Sequence, residues 1–251
     1  YAGARSLVTM KQVGLNVASD PLMSLEYVGV KGGMVILVAD DPGPISSQTE
    51  QDTRHFSRFS KLPCFDPSSA QEAYEMIQEA FEYSEKYGTP VFLRPTTRVC
   101  HGYASIMVKD ETEYTHHQPE GFIKDSKRWV IFPRLSFMNH KKIEARNQEL
   151  SDIFSSYEKN TIHPSCDAFK DSKKGIATGG ISYTYTMETL KKTGMVKTLK
   201  IATPHPFPEK LAVDFLSGLD EVLCLEELDP VIERELIYIC GKYHLPTRIN
   251  G

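Results

Sequence analysis

The chain has 251 residues, 29 Lys and Arg against 33 Asp and Glu, a net charge of −4 and 40% hydrophobic residues. That balance excludes a generally basic nucleic-acid binder, and 10% aromatic residues set among regular apolar runs exclude an acidic disordered tail. No apolar run approaches the roughly 18–20 residues that cross a bilayer, and the opening residues do not read as a secretory signal. Five scattered cysteines (Cys64, Cys100, Cys166, Cys224, Cys240) read as reduced thiols rather than a disulfide framework or a metal site. The expectation is a soluble cytoplasmic protein with neither nucleic-acid nor membrane partners.

In chain order, Ser6 to Met10 reads as a buried strand reached with almost no lead-in, which points to a chain cut from something longer. The apolar run Met34 to Val38 is too short for a helix and fits a strand covered on both faces. Pro63 to Asp66 is a weaker strand. Ser68 with Gln71, or Ser69 with Glu72, has capping-box spacing. Ala73, Met76, Ile77, Ala80 and Phe81 then recur at helical spacing. Gly88 ends that helix, and Val91 to Arg94 supplies the next strand. Strand, helix, strand at such spacing is the grammar of a parallel α/β domain.

From about His101 to Lys127 both periods dissolve, as a connection between domains would, with His116 and His117 read as exposed. Trp129 to Pro133 is expected along a domain surface. A helix is predicted over Lys142 to Lys159. Strands follow at Gly175–Thr178, Val196–Ala202 and Glu221–Glu226, alternating with helices from Ile181, Pro208 and Pro230, the last capped by Asp229. No terminal element is expected at Thr247 to Gly251. The partition is 1–104, a linker over 105–133, and 134–251. The fold class is α/β, with two doubly wound parallel-sheet domains.

Ligands of open α/β sheets sit beyond the carboxyl ends of strands, so several polar turns there are candidates. Gly14, after the first strand, is either a tight turn or a close approach to a ligand. Asp40 and Asp41 could serve a metal or acid–base chemistry, with an acidic turn before a capped helix as the plainer reading. Gly179-Gly180 could form an anion nest or simply allow close helix–strand packing. His205, between two prolines, reads as a rigid turn residue rather than a catalytic one. Glu226-Glu227 faces either a domain interface or solvent. There is no dinucleotide fingerprint, no lysine-bearing phosphate loop and no iron–sulfur cysteine run.

The stretch Gly3 to Leu22, with Met10-Lys11-Gln12-Val13-Gly14-Leu15-Asn16 at its centre, resembles the alpha subunit of indolepyruvate:ferredoxin oxidoreductases. Val38 to Pro42, Ser46 to Asp52, Thr89 to Val91 and Leu93 to Val99 extend the likeness. Gly175 to Tyr183 and Glu226 to Pro230 resemble that family's transketolase C-terminal-like domain. The resemblance covers nearly the whole chain, and residues 1–104 would be part of a pyrimidine-binding domain for thiamine diphosphate.

What it implies is oxidative decarboxylation of aryl-2-oxoacids such as indolepyruvate to acyl-coenzyme A, with electrons passing through [4Fe-4S] clusters to ferredoxin. A beta subunit and an oligomer are implied as well. The family's activating glutamate, its Mg²⁺ and diphosphate domain and its cluster cysteines would lie outside residues 1–251. No catalytic or metal-binding residue is therefore assigned, and this stretch alone would hold little or no cofactor. Lys11, Val13, Gly14, Leu15 and Asn16 would approach the cofactor and substrate, with Ser47, Gln51 and Arg54 supporting the neighbouring loop. The competing readings are a transketolase or 2-oxoacid dehydrogenase beta-type enzyme, and a non-catalytic assembly subunit.

Overall fold

The computed structural model describes every residue except 44 and 115–117, so the His116-His117 pair lies outside the described residues. The first sheet is built from β1 (Ser6–Lys11), β2 (Met34–Ala39), β3 (Cys64–Phe65) and β4 (Val91–Leu93). Its order is β1-β2-β4-β3 and every pairing is parallel. β1 passes directly into α1 (Gln12–Val28); α2 (Thr53–Ser60) and α3 (Ala70–Tyr87) follow in the connections. Sheets of this kind need cover on both faces, and this one has it. Leu15, Leu22 and partly buried Phe56 pack with Ile36, Val38 and Phe92 on one face. On the other, Met76 and Ala80 of α3 pack with Val35, Val91 and Leu93.

The intervening segment holds the short helices α4 (Thr97–Cys100) and α5 (Ser126–Trp129) before α6 (Pro133–Phe154). α6 starts earlier than the apolar stripe indicates, because Pro133 occupies its first turn, where the missing N–H costs nothing. Leu150 and Phe154 of α6 are fully buried among Val35, Phe65 and Met76, so this helix completes the cover of the first sheet.

The second sheet comprises β5 (Thr161–His163), β6 (Lys174–Gly179), β7 (Lys197–Ile201), β8 (Glu221–Leu225) and β9 (Arg248–Asn250), in the order β5-β7-β6-β8-β9. It carries α7 (Gly180–Thr193), α8 (Glu209–Leu216) and α9 (Val231–Tyr243). α8 and α9 bury Phe215, Leu216, Ile232 and Leu236 against Leu199, Ile201 and Val222.

Four expectations are corrected. β1 is an edge strand with largely exposed side chains, not a buried one. The sheet is only mostly parallel, since β5 runs antiparallel to β7. A terminal element does exist: β9 pairs with β8 through Val222 and Ile249. Asp229 does not cap α9; the Glu226 carboxylate does, accepting from Ile232 N at 2.9 Å and Glu233 N at 3.0 Å. Glu226 reaches the helix end because it leaves β8 on the same edge.

The two sheets share main-chain hydrogen bonds. β3 closes one edge of the first sheet, and its outer side is taken by the segment after β7: Cys64 N donates to His205 O at 2.7 Å and Asp66 N to Ala202 O at 2.8 Å. Side chains reinforce the joint. Thr184 Oγ1 donates to Ser68 O at 2.8 Å, Lys200 pairs with Glu72, and Lys159 Nζ lies 2.7 Å from Glu79 Oε1. At the overlapping capping signals it is Ser69 that caps α3, accepting from Glu72 N.

Candidate functional site

The carboxyl ends of β2, β3, β4, β6 and β8 converge on one buried charge cluster. Arg94, just past β4, is fully buried. Its Nε donates to Asp40 Oδ2 at 2.5 Å, Nη1 lies 3.3 Å from the Asp66 carboxylate, and Nη2 lies 3.5 Å from Asp52 Oδ1. Asp40 also takes Thr53 N at 2.9 Å and Thr53 Oγ1 at 2.5 Å, which fixes the start of α2. Burial pushes the Asp66 carboxyl up to about 6, against the pull of Arg94. Burial acts the same way on Asp52, but Arg94 and Arg54 outweigh it and hold that carboxyl down to about 2.

Arg54 carries the cluster across to the second sheet. Its Nε and Nη2 hold Asp52 at 3.0 and 2.6 Å. Nη1 donates to Glu226 Oε2 at 2.7 Å, and Nη2 reaches Glu227 O and Asp229 O at 2.9 and 3.0 Å. Asp229 itself turns outward to His55 Nε2 at 3.0 Å. The Glu226-Glu227 pair therefore faces a domain interface. Both arginines are neutralised by acids of the chain, so neither is free to take a ligand phosphate.

The glycine pair after β6 divides its roles. A side chain at Gly179 would stand 2.6 Å from Ile201 O, so this position serves close packing. Gly180, at φ +50°, opens α7 with the Asp66 carboxylate 3.2 Å from where a Cβ would be. A side chain of the protein thus already occupies the anion-favouring end of that helix. His205 is half-buried at the joint, where desolvation and the neighbouring Arg58, Arg146 and Lys61 push its imidazole down to about 3. It stays neutral, as a packing residue would.

Next to this cluster, beyond β1 and β2, lies a polar ledge. Asp41 accepts from Ser46 N and Ser47 N at 2.8 Å and from Ile45 N at 3.2 Å. The Thr97 hydroxyl at 2.7 Å and those amides keep its carboxyl well below the usual range. The loop so fastened meets the start of α1. Lys11 Nζ donates to Ser46 O at 3.2 Å, Gln12 Nε2 to Ser47 Oγ at 2.7 Å, and Asn16 Nδ2 to Gln51 Oε1 at 3.3 Å. Asp40 and Asp41 are thus an organised turn before a capped helix, with Asp52 as the cap.

Among the expected site residues, Lys11, Asn16, Ser47 and Gln51 come together on this ledge. Leu15 is buried beside them, in the wall of a cavity of about 350 Å³ with Gln12, Asn16, Gln51, Phe56 and Phe59. Gly14 is not a turn glycine: it sits in the first turn of α1, where a Cβ would stand 3.3 Å from Met10 Cβ. Val13, half-buried, is not among the cavity's lining residues. Arg54 belongs to the buried clamp.

Gln12 lies within the stretch Lys11 to Asn16 that the resemblance brings to the cofactor, but the residue pattern did not single it out, although a signal existed. Gln12, Leu15, Leu22 and Glu26 are the buried residues of α1, so two polar residues sit on its apolar stripe. Glu26 pairs with Arg146 at 2.7 Å, and burial pushes its carboxyl up to about 7 despite that partner.

The donor set can be tested against the thiamine diphosphate that the resemblance implies. Lys11, Asn16, Ser47 and Gln51 offer mixed donors and acceptors suited to a polar heterocycle. For the diphosphate the ledge supplies one exposed cation, Lys11. Among the described residues no group of three or more His, Cys, Asp or Glu is placed to hold a metal. No described helix is long and apolar enough to cross a membrane.

This two-sheet α/β fold is one found in 2-oxoacid:ferredoxin oxidoreductases and in transketolases. A 2-oxoglutarate:ferredoxin oxidoreductase from Magnetococcus marinus, with 2-oxoglutarate, coenzyme A and succinyl-CoA bound, matches all of this chain and 50% of its own, at TM-score 0.66 and 15% identity. A split-gene transketolase matches 97% of this chain and 64% of its own, at TM-score 0.54 and 13% identity. In sequence, the chain is related over its whole length to indolepyruvate oxidoreductase subunit IorA. It is 41% identical to that of Methanothermobacter thermautotrophicus over 252 aligned positions. It is also 41% identical to that of Pyrococcus abyssi over 94% of the chain, and 39% identical to that of Pyrococcus horikoshii. The chain spans about 40% of the length of these curated relatives. No family model matches it.

Proposed function

We propose that this chain forms part of an oxidoreductase that oxidatively decarboxylates aryl-2-oxoacids, indolepyruvate among them, to acyl-coenzyme A with ferredoxin as electron acceptor. The observation that carries the reading is the 41% identity to an indolepyruvate oxidoreductase subunit across the entire chain. The ledge at the carboxyl edge of the first sheet agrees with it, lying where open α/β sheets bind ligands. Residues 1–104 act as the pyrimidine-side domain and 134–251 as the transketolase C-terminal-like domain, joined by 105–133.

Lys11, Asn16, Ser47 and Gln51 would hold the heterocyclic end of thiamine diphosphate, with Leu15 as the wall beneath it and Val13 and Gly14 in the first helical turn that carries these residues. When bound, the cofactor supplies the carbanion chemistry of 2-oxoacid decarboxylation. This chain's contribution is positioning. Asp41 holds the 45–47 loop, and the Arg54 clamp fixes the start of α2 against the second sheet. Iron–sulfur clusters, Mg²⁺ and a beta subunit belong to the assembled cytoplasmic enzyme in this reading.

The test is turnover by the full-length protein with its co-purifying subunits. Indolepyruvate, coenzyme A and added thiamine diphosphate are expected to drive reduction of ferredoxin. Turnover of aliphatic but not aryl 2-oxoacids would reject the substrate class. Ketol transfer between sugar phosphates, without ferredoxin reduction, would reject the reaction.

A further inference from the structure

The cavity beside the ledge has a composition the ledge lacks. Leu15, Phe56 and Phe59 give it an apolar wall, and Gln12, Asn16, Gln51, Asp52, Thr53 and His55 a polar one, around about 350 Å³. An apolar wall facing fixed polar groups is where small ligands bury a ring.

Gln12 is the fixed polar group. It is 2% exposed, and its Nε2 faces Ser47 Oγ at 2.7 Å and Thr49 O at 3.4 Å. A backbone carbonyl can only accept, so the contact with Thr49 O sets which way the amide points. Oε1 is then left buried with no partner among the described residues. Buried polar atoms are rarely left so, and one that is calls for an explanation.

We propose that this cavity takes the aryl side chain of the substrate and that Gln12 Oε1 accepts a hydrogen bond from its ring N–H. The inference rests on the function proposed above and adds a specificity residue to it. A flat bicyclic ring with one N–H matches one unpaired acceptor among Leu15, Phe56 and Phe59. Asn16 and Gln51 line the same cavity and are joined by a single 3.3 Å surface hydrogen bond at its rim. A site with a buried acceptor discriminates by leaving that acceptor unpaired against a ligand without the donor. It therefore separates indole from rings of equal size that lack N–H.

The test uses the assembled oxidoreductase and two unreactive acids, indole-3-propionate and benzothiophene-3-propionate, which share a ring shape and differ in the N–H donor. Calorimetry should show the indole acid binding about tenfold more tightly, the worth of roughly one neutral hydrogen bond. Gln12→Leu should bring the two acids to equal affinity. Equal affinity in the unmodified enzyme overturns the inference whether or not the variant folds, and so does a preference that survives Gln12→Leu. If indolepyruvate is turned over while the two acids bind alike, only this inference falls. If neither acid binds and aryl 2-oxoacids are not turned over, the functional reading falls with it.

Discussion

Glu226→Ala tests the clamp between the sheets. The substitution removes the partner of Arg54 Nη1 at 2.7 Å and two acceptor contacts to the first amides of α9. Arg54 is 3% exposed and keeps Asp52, so the lost pair should cost about 3 kcal/mol, near the low end for breaking a buried ion pair. The lost helix cap adds about 1 kcal/mol. A total of about 4 kcal/mol corresponds to a fall in Tm of roughly 8–16 °C for a chain of this size. Urea unfolding followed by circular dichroism gives the free energies by linear extrapolation. Arg54→Met should cost a similar amount, since it leaves Asp52 with Arg94 alone and Glu226 with only the α9 amides. The double variant should be less destabilised than the sum of the two by about 2 kcal/mol, as expected for contacting residues. Additivity within about 0.5 kcal/mol would show that the pair does not couple the sheets, and the reasoning would be wrong.

Two further outcomes follow from the buried groups. Glu26 is held up to about 7 in the folded protein, from an ordinary value of 4.5, so the native state binds the extra proton across that window. Stability contributed by this group is therefore present below pH 4.5 and lost as the pH rises to about 7. The loss amounts to about 3 kcal/mol at 1.36 kcal/mol per pKa unit; Glu26→Gln should flatten the urea midpoint over that window, and an unchanged slope would refute the assignment. At the glycine pair, Gly180→Ala should cost about 1–2 kcal/mol for its positive φ. Gly179→Ala, whose Cβ would meet main chain at 2.6 Å, should cost about 1–3 kcal/mol as overpacking. A Gly179→Ala protein as stable as the parent would mean that β6 and β7 are not packed as described.

The strand–helix alternation was legible because it is written in local periods. Met34 to Val38 is a central strand with both faces buried, and the stripe from Ala73 to Phe81 does lie on the sheet. β5 and β9 were not legible, since each is a three-residue edge strand and three residues carry no period. The ledge was partly legible: Lys11, Asn16, Ser47 and Gln51 do meet, and the resemblance had grouped them. The clamp was not, because Arg54 and Glu226 stand 172 residues apart and charge spacing along a chain says nothing about such a pair. Arg54 was expected beside the ledge through the resemblance alone, and the structure puts it in the clamp instead. Gln12 could have been found, since a polar side chain on an apolar helical stripe is a local anomaly.

The joint between β3 and the segment after β7 also bears on how the chain is made. Phe65 is fully buried only once Phe154 and Tyr157 have packed on it, and the outer edge of β3 is closed only by Ala202 and His205. A growing polypeptide can therefore lay down β1, β2 and β4 early, yet it carries an open strand edge and an uncovered aromatic face until the segment through His205 has emerged. Domains usually complete themselves in order from the N-terminus during synthesis. Here the first sheet must wait for the second, and in that interval the β3 edge and the Phe65 face are open to wrong partners.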